Sequence, residues 1–385
     1  MEAAAGPSRC SCTLTAAELS HYREFGWVVV PQLLSDADLS PIDTAYAEVV
    51  DKLATGLLQE GRISSTHVGL PHEKRLAALL RELGDDVYDT FQIHELEGEW
   101  PETFDIYQAR LPACFQFMFN ERLGKAIESL LGTQELTVHP SQHVRPYLPR
   151  RAASAAQPNH AAWHQDRIVY QSEADKSCIV TCWMPLVDVT ASSGCLRLIP
   201  GVQEMLRTVQ GTKAPGCNGI SSPAIFDGQP SAILPAELDR AVAAIPGGGG
   251  AVDVAMRRGD LLVFKSLIPH CGLPNDSGRI RWSIELRFQT SDTPTGRNAH
   301  PSVRVRSKDP RKLQTDYGEW CGRWEAALSL MKGWPHEKVV AAINGATEWA
   351  ELWQQGGSQA QADARSQVIA ATDREGIVSD HGPRL

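Results

Sequence analysis

Trp163-His164-Gln165-Asp166 is the stretch of this 385-residue chain that says most about its fold and chemistry. Residues i and i+2 of a β-strand project to the same side of a sheet, so we expect His164 and Asp166 to lie on a strand and face one ion together. Further along, Pro269-His270 supplies a second histidine. Two histidines and one carboxylate are the minimum set that holds Fe(II) on one face and leaves the opposite face open.

The spacing within the first motif decides little by itself. With 12 histidines and 46 acidic residues among 385, a His-x-acid triplet is expected about once by chance, and it occurs once. A histidine and an aspartate satisfied by hydrogen bonds at a strand end would explain the pair equally well. The segment around His270 has to separate these alternatives.

The segment from Gly259 to Phe288 predicts a strand, a turn at 274–278 and a second strand. In the second strand apolar residues alternate with polar ones, so one face is apolar and the other polar. The polar face either meets solvent or lines the inside of a small barrel whose apolar face is covered by helices. The apolar residues are Trp282, Ile284, Leu286 and Phe288, and the polar residues are Arg281, Ser283, Glu285 and Arg287.

Arg281 is the candidate for binding an anionic cosubstrate on that polar face. The planar guanidinium can hold a carboxylate through two parallel hydrogen bonds, and it does not lose its charge. A surface arginine on a solvent-facing strand is the alternative.

Several separated segments resemble, in the same order, the phytanoyl-CoA dioxygenase-like family of Fe(II)/2-oxoglutarate-dependent oxygenases. The resemblance covers about residues 13 to 300 and includes the family's eleven-residue step from His270 to Arg281. It implies a mainly β fold with flanking helices, a double-stranded β-helix of the jelly-roll, cupin-like barrel type. The segments that carry it are Thr13–Pro31, Trp163–Asp166, Cys182–Leu186, Gly194–Gly201 and Gly259–Arg287.

The resemblance implies roles for particular residues. His164, Asp166 and His270 would be the catalytic iron ligands, and Arg281 would bind the distal carboxylate of 2-oxoglutarate. Trp183 matches a tryptophan that lines the cosubstrate pocket in relatives, although an ordinary buried aromatic residue would look the same.

Two further cosubstrate contacts are expected at less well matched positions. Gln142 lies on a segment where relatives place such contacts. Relatives often carry a hydroxyl residue two positions after the second histidine, where this chain has Gly272. Ser283, on the same strand face as Arg281, is the nearest substitute.

The implied cofactors are Fe(II), 2-oxoglutarate as cosubstrate and O2. The expected reaction is oxidation, usually hydroxylation, of an unactivated C–H bond with release of succinate and CO2; desaturation, cyclisation and epoxidation stay open. Related halogenases lack the carboxylate ligand, so the retained Asp166 disfavours halogenation. The alternative function is a non-catalytic jelly-roll binding or regulatory protein with a relic metal site.

The composition limits the classes of partner that we expect this protein to bind. A net charge of −9 and a pI near 5.8 give no general attraction to nucleic acid or an anionic membrane. We expect a small-molecule substrate, such as a secondary metabolite or an acyl derivative, and a monomer or homodimer. Nine cysteines, an odd number, together with no apolar run of membrane-spanning length predict a cytoplasmic protein. The final Pro383-Arg384-Leu385 faintly resembles a peroxisomal ending.

The sequence also predicts how the chain is organised. Residues 1–12 are expected to form a flexible tail, 13–300 the oxygenase domain, and 301–385 a helical extension packed on the barrel. Residues 202–256 are interpreted as either a lid or a disordered insertion. Helices are expected at 40–60, 74–84 and 114–131, with capping boxes at Thr15/Glu18 and Ser35/Asp38 before the first two helices of the chain.

Overall fold

The computed structural model describes residues 11–84, 110–150, 163–169, 172–202, 233, 235–245, 250–297 and 301–331. The chain divides into two units. The first comprises residues 1–296 and 302–313, and the second comprises residues 297–301 and 314–385.

Helices precede most of the strands in the first unit. Both predicted capping boxes are present: the side chains of Thr15 and Ser35 accept hydrogen bonds from the third helical residue, whose carboxylate bonds back. The predicted helix at 114–131 is two helices, because the Asn120 side chain caps a new start at Glu121. The described helices are α1 (Ala16–Phe25), α2 (Asp36–Gln59), α3 (His72–Leu83), α4 (Pro112–Phe117), α5 (Glu121–Leu131) and α6 (Pro235–Ala243).

The strands of this unit form two antiparallel sheets. The larger has the order β1-β7-β4-β9-β2-β10, with β3 also paired to β9, and the smaller has the order β6-β5-β8. The strands are β1 (Trp27–Val30), β2 (Leu136–Val138), β3 (His143–Tyr147), β4 (Ile179–Pro185), β5 (Leu196–Leu198), β6 (Val252–Val254), β7 (Leu261–Lys265), β8 (His270–Gly272), β9 (Arg281–Thr290) and β10 (Val303–Arg306).

The predicted mainly β jelly-roll class with flanking helices is confirmed, with one difference. The described strand pairings leave both sheets open, so hydrogen bonds do not close them into a barrel. The sheets are instead held face to face by a buried apolar cluster to which both contribute, which is how layered β folds form a core. This cluster includes Leu196, Leu198 and Val254 from the smaller sheet and Trp183, Leu262 and Phe264 from the larger.

Strand β9 has the two faces that its alternation predicts. All its residues from Arg281 to Gln289 are buried, so its polar face does not meet bulk solvent. On the apolar face Trp282 contacts Tyr46 of α2 at a ring-centroid distance of 5.6 Å and stacks on His72 of α3 at 4.8 Å. Helices therefore cover the apolar face, and the interpretation of the polar face as an interior surface is confirmed.

The structure describes parts of two segments for which the sequence makes a prediction. Strand β10 pairs with β2, although it lies within the segment 301–385 predicted to be helical. The interval 202–256 contains α6 and β6; residues 203–232, like the segments 1–10 and 332–385, lie outside the described residues.

The second unit is described mainly by one helix, α7 (Tyr317–Met331). Within α7 the rings of Trp320 and Trp324 meet edge to face at 6.3 Å. Among the helices that the structure describes, none combines the length and the apolar character that a membrane crossing requires.

Candidate active site

Three side chains that the sequence singles out as metal ligands converge between the two sheets. His164, Asp166 and His270 each offer one ligand atom, and these atoms all lie within 4.8 Å of one another. The rings of the two histidines are 4.2 Å apart at their centroids. Two imidazoles and a carboxylate on one side of a space form the donor set that suits non-haem Fe(II), so the residues present fit an iron ion.

Backbone pairing holds the two histidines together. His164 and His270 form an isolated antiparallel bridge, in which each backbone N–H donates to the other's carbonyl at 3.0 and 2.9 Å. The prediction that His164 and Asp166 share a strand face is wrong, because the chain leaves the bridge at Gln165 and a 3₁₀ helix, Asp166–Val169, begins at the ligand. The Gln165 amide donates to the Leu267 carbonyl at 2.6 Å and anchors this bend.

The tautomer of His270 follows from its hydrogen bond. Its Nδ1 lies 3.0 Å from the backbone carbonyl of Ile268, which can only accept, so Nδ1 carries the proton. This leaves the lone pair of Nε2 directed toward the triad, where Nε2 lies 3.8 Å from Asp166 Oδ1. Burial holds the pKa of His270 below its ordinary value, although Asp166 opposes this. The ring is therefore in the neutral form that binds metal.

Asp166 is buried, with 2% of its surface exposed. Burial raises the pKa of its carboxyl group, but the charge of Arg287 and the neighbouring His270 more than offset burial and leave the pKa below the ordinary value. Arg287 Nη2 donates to Oδ1 at 2.8 Å, and the Thr181 hydroxyl donates to Oδ2. The carboxylate therefore stays ionised inside the protein.

Arg281 is the first residue of β9 and lies on the same face of that strand as Arg287. Its guanidinium carbon is 4.4 Å from the ring centroid of Tyr147 and 5.3 Å from that of Trp183. The structure thus brings together two predicted cosubstrate residues, Arg281 and Trp183, and adds Tyr147 from β3. A buried guanidinium packed near two aromatic rings has few orientations open to it, so Arg281 fits a role in binding a carboxylate.

Gln142 and Ser283 carry buried polar atoms that lack partners among the described residues. Within the described part of the chain, the two side-chain amide atoms of Gln142 and the hydroxyl of Ser283 make no hydrogen bond. Ser283 lies on the polar face of β9 two residues after Arg281, and Gln142 precedes β3, the strand paired with that part of β9. Unsatisfied buried groups are costly and often belong to ligand sites, so both positions fit a polar ligand.

Sequence reasoning missed the part played by Arg287, Thr181 and Ser141. Arg287 connects the metal ligand Asp166 with two other residues. Its guanidinium contacts the Glu285 carboxylate at 2.5 Å and donates to the carbonyl and hydroxyl oxygens of Ser141 at 3.1 and 3.0 Å. The alternation of β9 already placed Arg287 on the face of Arg281, which is the signal that could have found it.

The fold and the triad define an oxygenase of the Fe/2-oxoglutarate class. The chain belongs to the phytanoyl-CoA dioxygenase (PhyH) family, whose family model matches residues 22–283. The matched interval contains His164, Asp166, His270 and Arg281. The family resemblance predicted from separated motifs is thereby confirmed.

Solved structures similar to this chain include several non-haem enzymes. The carbocyclase SnoK from nogalamycin biosynthesis is 17% identical, with 79% of this chain and 92% of SnoK covered and a TM-score of 0.43. The epimerase SnoN, solved with Fe3+, alpha ketoglutarate and nogalamycin RO, is 19% identical, with 73% and 86% covered and a TM-score of 0.38. The monooxygenase ThoJ, solved with nickel, is 16% identical, with 84% and 99% covered and a TM-score of 0.42. A comparison with curated proteins gives no match.

Proposed function

We propose that this protein is an Fe(II)- and 2-oxoglutarate-dependent dioxygenase that hydroxylates an unactivated C–H bond of a small organic molecule. The observation that carries the proposal is the convergence of His164, Asp166 and His270 in the sheet system that also buries Arg281. A protein that only binds a ligand needs no metal triad in combination with a buried arginine suited to bind an anion.

The three ligands would hold iron in the protonation states already described. His270 presents Nε2 because Nδ1 is bonded to Ile268, and Asp166 is kept ionised by Arg287. Because only three protein residues would hold the ion, the site would leave it accessible to other ligands. An iron ion held there would have room to take up a 2-oxo acid and O2.

Arg281 would bind the distal carboxylate of 2-oxoglutarate. Its guanidinium is buried against Tyr147 and Trp183, where a charged hydrogen bond is strong because water does not compete. The hydroxyl of Ser283 and the amide of Gln142 would supply neutral hydrogen bonds to the same cosubstrate, which would satisfy their unpartnered atoms.

Bound iron and 2-oxoglutarate would supply the oxidising chemistry. The balanced reaction converts a C–H bond, 2-oxoglutarate and O2 into a C–OH group, succinate and CO2, with one oxygen atom of O2 entering each organic product. The protein's own contribution is to orient the 2-oxo acid and keep bulk water from a buried site. The ligand Asp166 supports oxygen transfer rather than halogenation.

The substrate class is the broader part of the proposal. A secondary metabolite or an acyl derivative is consistent with membership of the phytanoyl-CoA dioxygenase family. Desaturation, cyclisation and epoxidation use the same cofactors, and substrate placement decides among them. Succinate release across a panel of such molecules would select the substrate, and analysis of the organic product would identify the reaction.

An anaerobic titration tests the cofactor assignment without a known substrate. Fe(II) followed by 2-oxoglutarate should produce a weak visible charge-transfer band in the wild-type protein. His270→Ala should remove the band by weakening metal binding, whereas Arg281→Leu should retain metal binding but need far more 2-oxoglutarate.

Arg304→Leu is the matched control for Arg281→Leu. Arg304 is also a strand arginine, but it lies on β10 and pairs with Glu135 at 3.2 Å. Its loss should leave the titration unchanged. A folded, iron-loaded wild-type protein that gives no band would reject the enzyme function in favour of a relic metal site. Equal loss of iron and 2-oxoglutarate in Arg281→Leu would reject the role of Arg281.

A further inference from the structure

The side chain of Arg287 lies at the centre of a buried polar network beside the metal triad. Only 3% of Arg287 is exposed. It donates from Nη2 to Asp166 Oδ1 at 2.8 Å and contacts Glu285 Oε1 at 2.5 Å. Its other terminal nitrogen, Nη1, donates to the carbonyl and hydroxyl oxygens of Ser141.

This location is electrostatically unfavourable for a site that binds a cation. A guanidinium placed beside a metal ligand repels the metal, and the repulsion is weakly screened inside a protein. Glu285 neutralises part of that charge, since its carboxylate contacts the same nitrogen that contacts Asp166. The network therefore keeps the directional hydrogen bond of arginine while limiting its net charge.

The Asp166 carboxylate is bonded on both oxygens. Arg287 donates to Oδ1 and the Thr181 hydroxyl donates to Oδ2. Thr181 and Arg287 are register partners on β4 and β9, so both donors come from one side of the sheet. Two donors from adjacent strands restrict rotation of the carboxylate about its last bond, which a single donor would allow.

We propose that Arg287 is a positioning residue for the metal centre, which orients the Asp166 carboxylate toward the two histidines. Glu285 and Ser141 hold the guanidinium in the plane from which it donates. The inference rests on the proposed function, because it requires the triad to bind a metal. It differs from the role of Arg281, which concerns the cosubstrate.

Anaerobic titration with Co(II) tests the positioning role by affinity and by spectrum. Arg287→Gln should weaken Co(II) binding by about 10- to 100-fold, the usual effect of removing a group that orients a metal ligand. The ligand-field absorption bands of the bound Co(II) should also shift, because the direction of one ligand changes. A role limited to folding would lower thermal stability and leave the bands of the loaded protein unchanged.

Arg287→Lys separates orientation from charge. Lysine keeps the positive charge, but its single ammonium lacks the planar fork that reaches Asp166, Glu285 and Ser141 together. We expect partial recovery of affinity with bands that still differ from the wild type. Full recovery of both would overturn positioning by the fork and leave charge alone as the cause.

Arg306→Gln is the matched control. Arg306 is a strand arginine that pairs with Glu121 and with Glu128, the latter at 3.0 Å, away from the triad. It should retain wild-type Co(II) affinity and bands despite losing two ion pairs. If the wild-type protein fails to bind Co(II), the proposed function is rejected. If the wild-type protein and Arg287→Gln bind Co(II) equally well and with equal spectra, only the positioning role is rejected.

A second variant guards against misfolding of Arg287→Gln. Glu285→Gln combined with Arg287→Gln removes one buried carboxylate and one buried guanidinium together, so Glu285 is not left charged without its partner. This pair should show the same loss of affinity and the same band shift. Failure of both variants to fold in the presence of saturating Co(II) would overturn the proposal in favour of a purely structural arginine.

Discussion

Arg281 and Tyr147 are register partners on adjacent antiparallel strands, and the guanidinium of Arg281 lies 4.4 Å from the centre of the tyrosine ring. Directly opposite residues point to the same face, so sheet register itself brings the ring to the arginine. Trp183 approaches the same guanidinium at 5.3 Å. Arg281, which we propose binds the cosubstrate, therefore has its orientation set before any ligand arrives, which reduces the entropy lost on binding.

Tyr147→Leu should weaken 2-oxoglutarate binding by roughly 5- to 30-fold, equivalent to about 1–2 kcal/mol for a desolvated cation–π contact. Metal affinity should stay unchanged, because the contact that the substitution removes is the one between the Tyr147 ring and Arg281. Calorimetric titration of the Co(II)-loaded protein with 2-oxoglutarate measures the effect.

Tyr22→Leu is the control for Tyr147→Leu. Tyr22 also lies under a cation, Lys265, at 5.7 Å, but on α1. It should leave 2-oxoglutarate affinity unchanged. Equal weakening by the two substitutions would contradict a specific role for Tyr147.

Gly194→Ala should lower the free energy of unfolding by about 3 kcal/mol, through a left-handed backbone penalty and overpacking. Gly194 has φ +79°, and an added Cβ would lie 2.7 Å from Tyr147 Cε1 and 2.9 Å from the Leu273 carbonyl oxygen. Because the clash pushes on Tyr147, 2-oxoglutarate affinity should fall as well. Denaturant unfolding and the same calorimetric titration give the two values.

Gly132→Ala isolates the backbone part of that cost. Gly132 also has a positive φ, +68°, but an added Cβ would meet nothing within 4 Å. It should cost about 1 kcal/mol and leave ligand binding unchanged. If Gly194→Ala were no more destabilising than Gly132→Ala, the close approach to Tyr147 would not matter.

The sequence carried enough information to predict the triad, because ligand identity and order survive changes in local geometry. His164, Asp166 and His270 were identified from residue type and from their place beside a strand-turn-strand pattern. The prediction of the local conformation at Asp166 was wrong, since an i, i+2 spacing cannot distinguish a strand from a bridge followed by a 3₁₀ helix. Hydrogen bonds from distant residues set that conformation.

The alternation of β9 predicted its two faces, but it could not rank the polar residues on one face. Arg281 was selected by its spacing from His270, whereas Arg287 became notable only when folding brought it to Asp166, 121 positions away in the chain. Tyr147 was missed for the same reason, because β3 and β9 are far apart in sequence and their register is a tertiary property.

Ser283→Ala should raise the free energy of unfolding of the ligand-free protein by about 1 kcal/mol, because it removes a buried hydroxyl that has no partner among the described residues. If Ser283 contacts 2-oxoglutarate, the same substitution should weaken cosubstrate binding by about 0.5–1.5 kcal/mol. Denaturant unfolding without ligand and calorimetric titration with ligand test the two halves.

Ser291→Ala is the matched control on the same chain segment. Its hydroxyl is buried and bonded to that of Thr137 at 2.8 Å, so its removal should destabilise the protein and leave ligand affinity unchanged. A Ser283→Ala variant that loses stability as Ser291→Ala does would show that Ser283 has a structural partner instead.

His72 should make folding stability depend on pH. Burial holds its pKa below the ordinary value, although Asp43 opposes this, and its ring stacks on Trp282 at 4.8 Å. The unfolded chain therefore binds a proton more readily than the folded protein does. The stability contribution of neutral His72 is complete above the unfolded-state pKa of about 6.5 and falls as the pH drops below it, by up to about 1.4 kcal/mol per pH unit.

His72→Phe keeps an aromatic ring against Trp282 but has no proton to bind. Denaturant unfolding at about pH 8 and about pH 5.5 should show a smaller loss of stability for the variant than for the wild type. Asp43, Glu73 and Arg75 also act on the His72 charge, and they stay in place in the variant, so the difference between the two proteins reports His72. Equal losses in both proteins would mean that other groups cause the acid sensitivity. A larger loss in His72→Phe would reverse the sign and show that protonated His72 stabilises the fold, contrary to the effect expected from its burial.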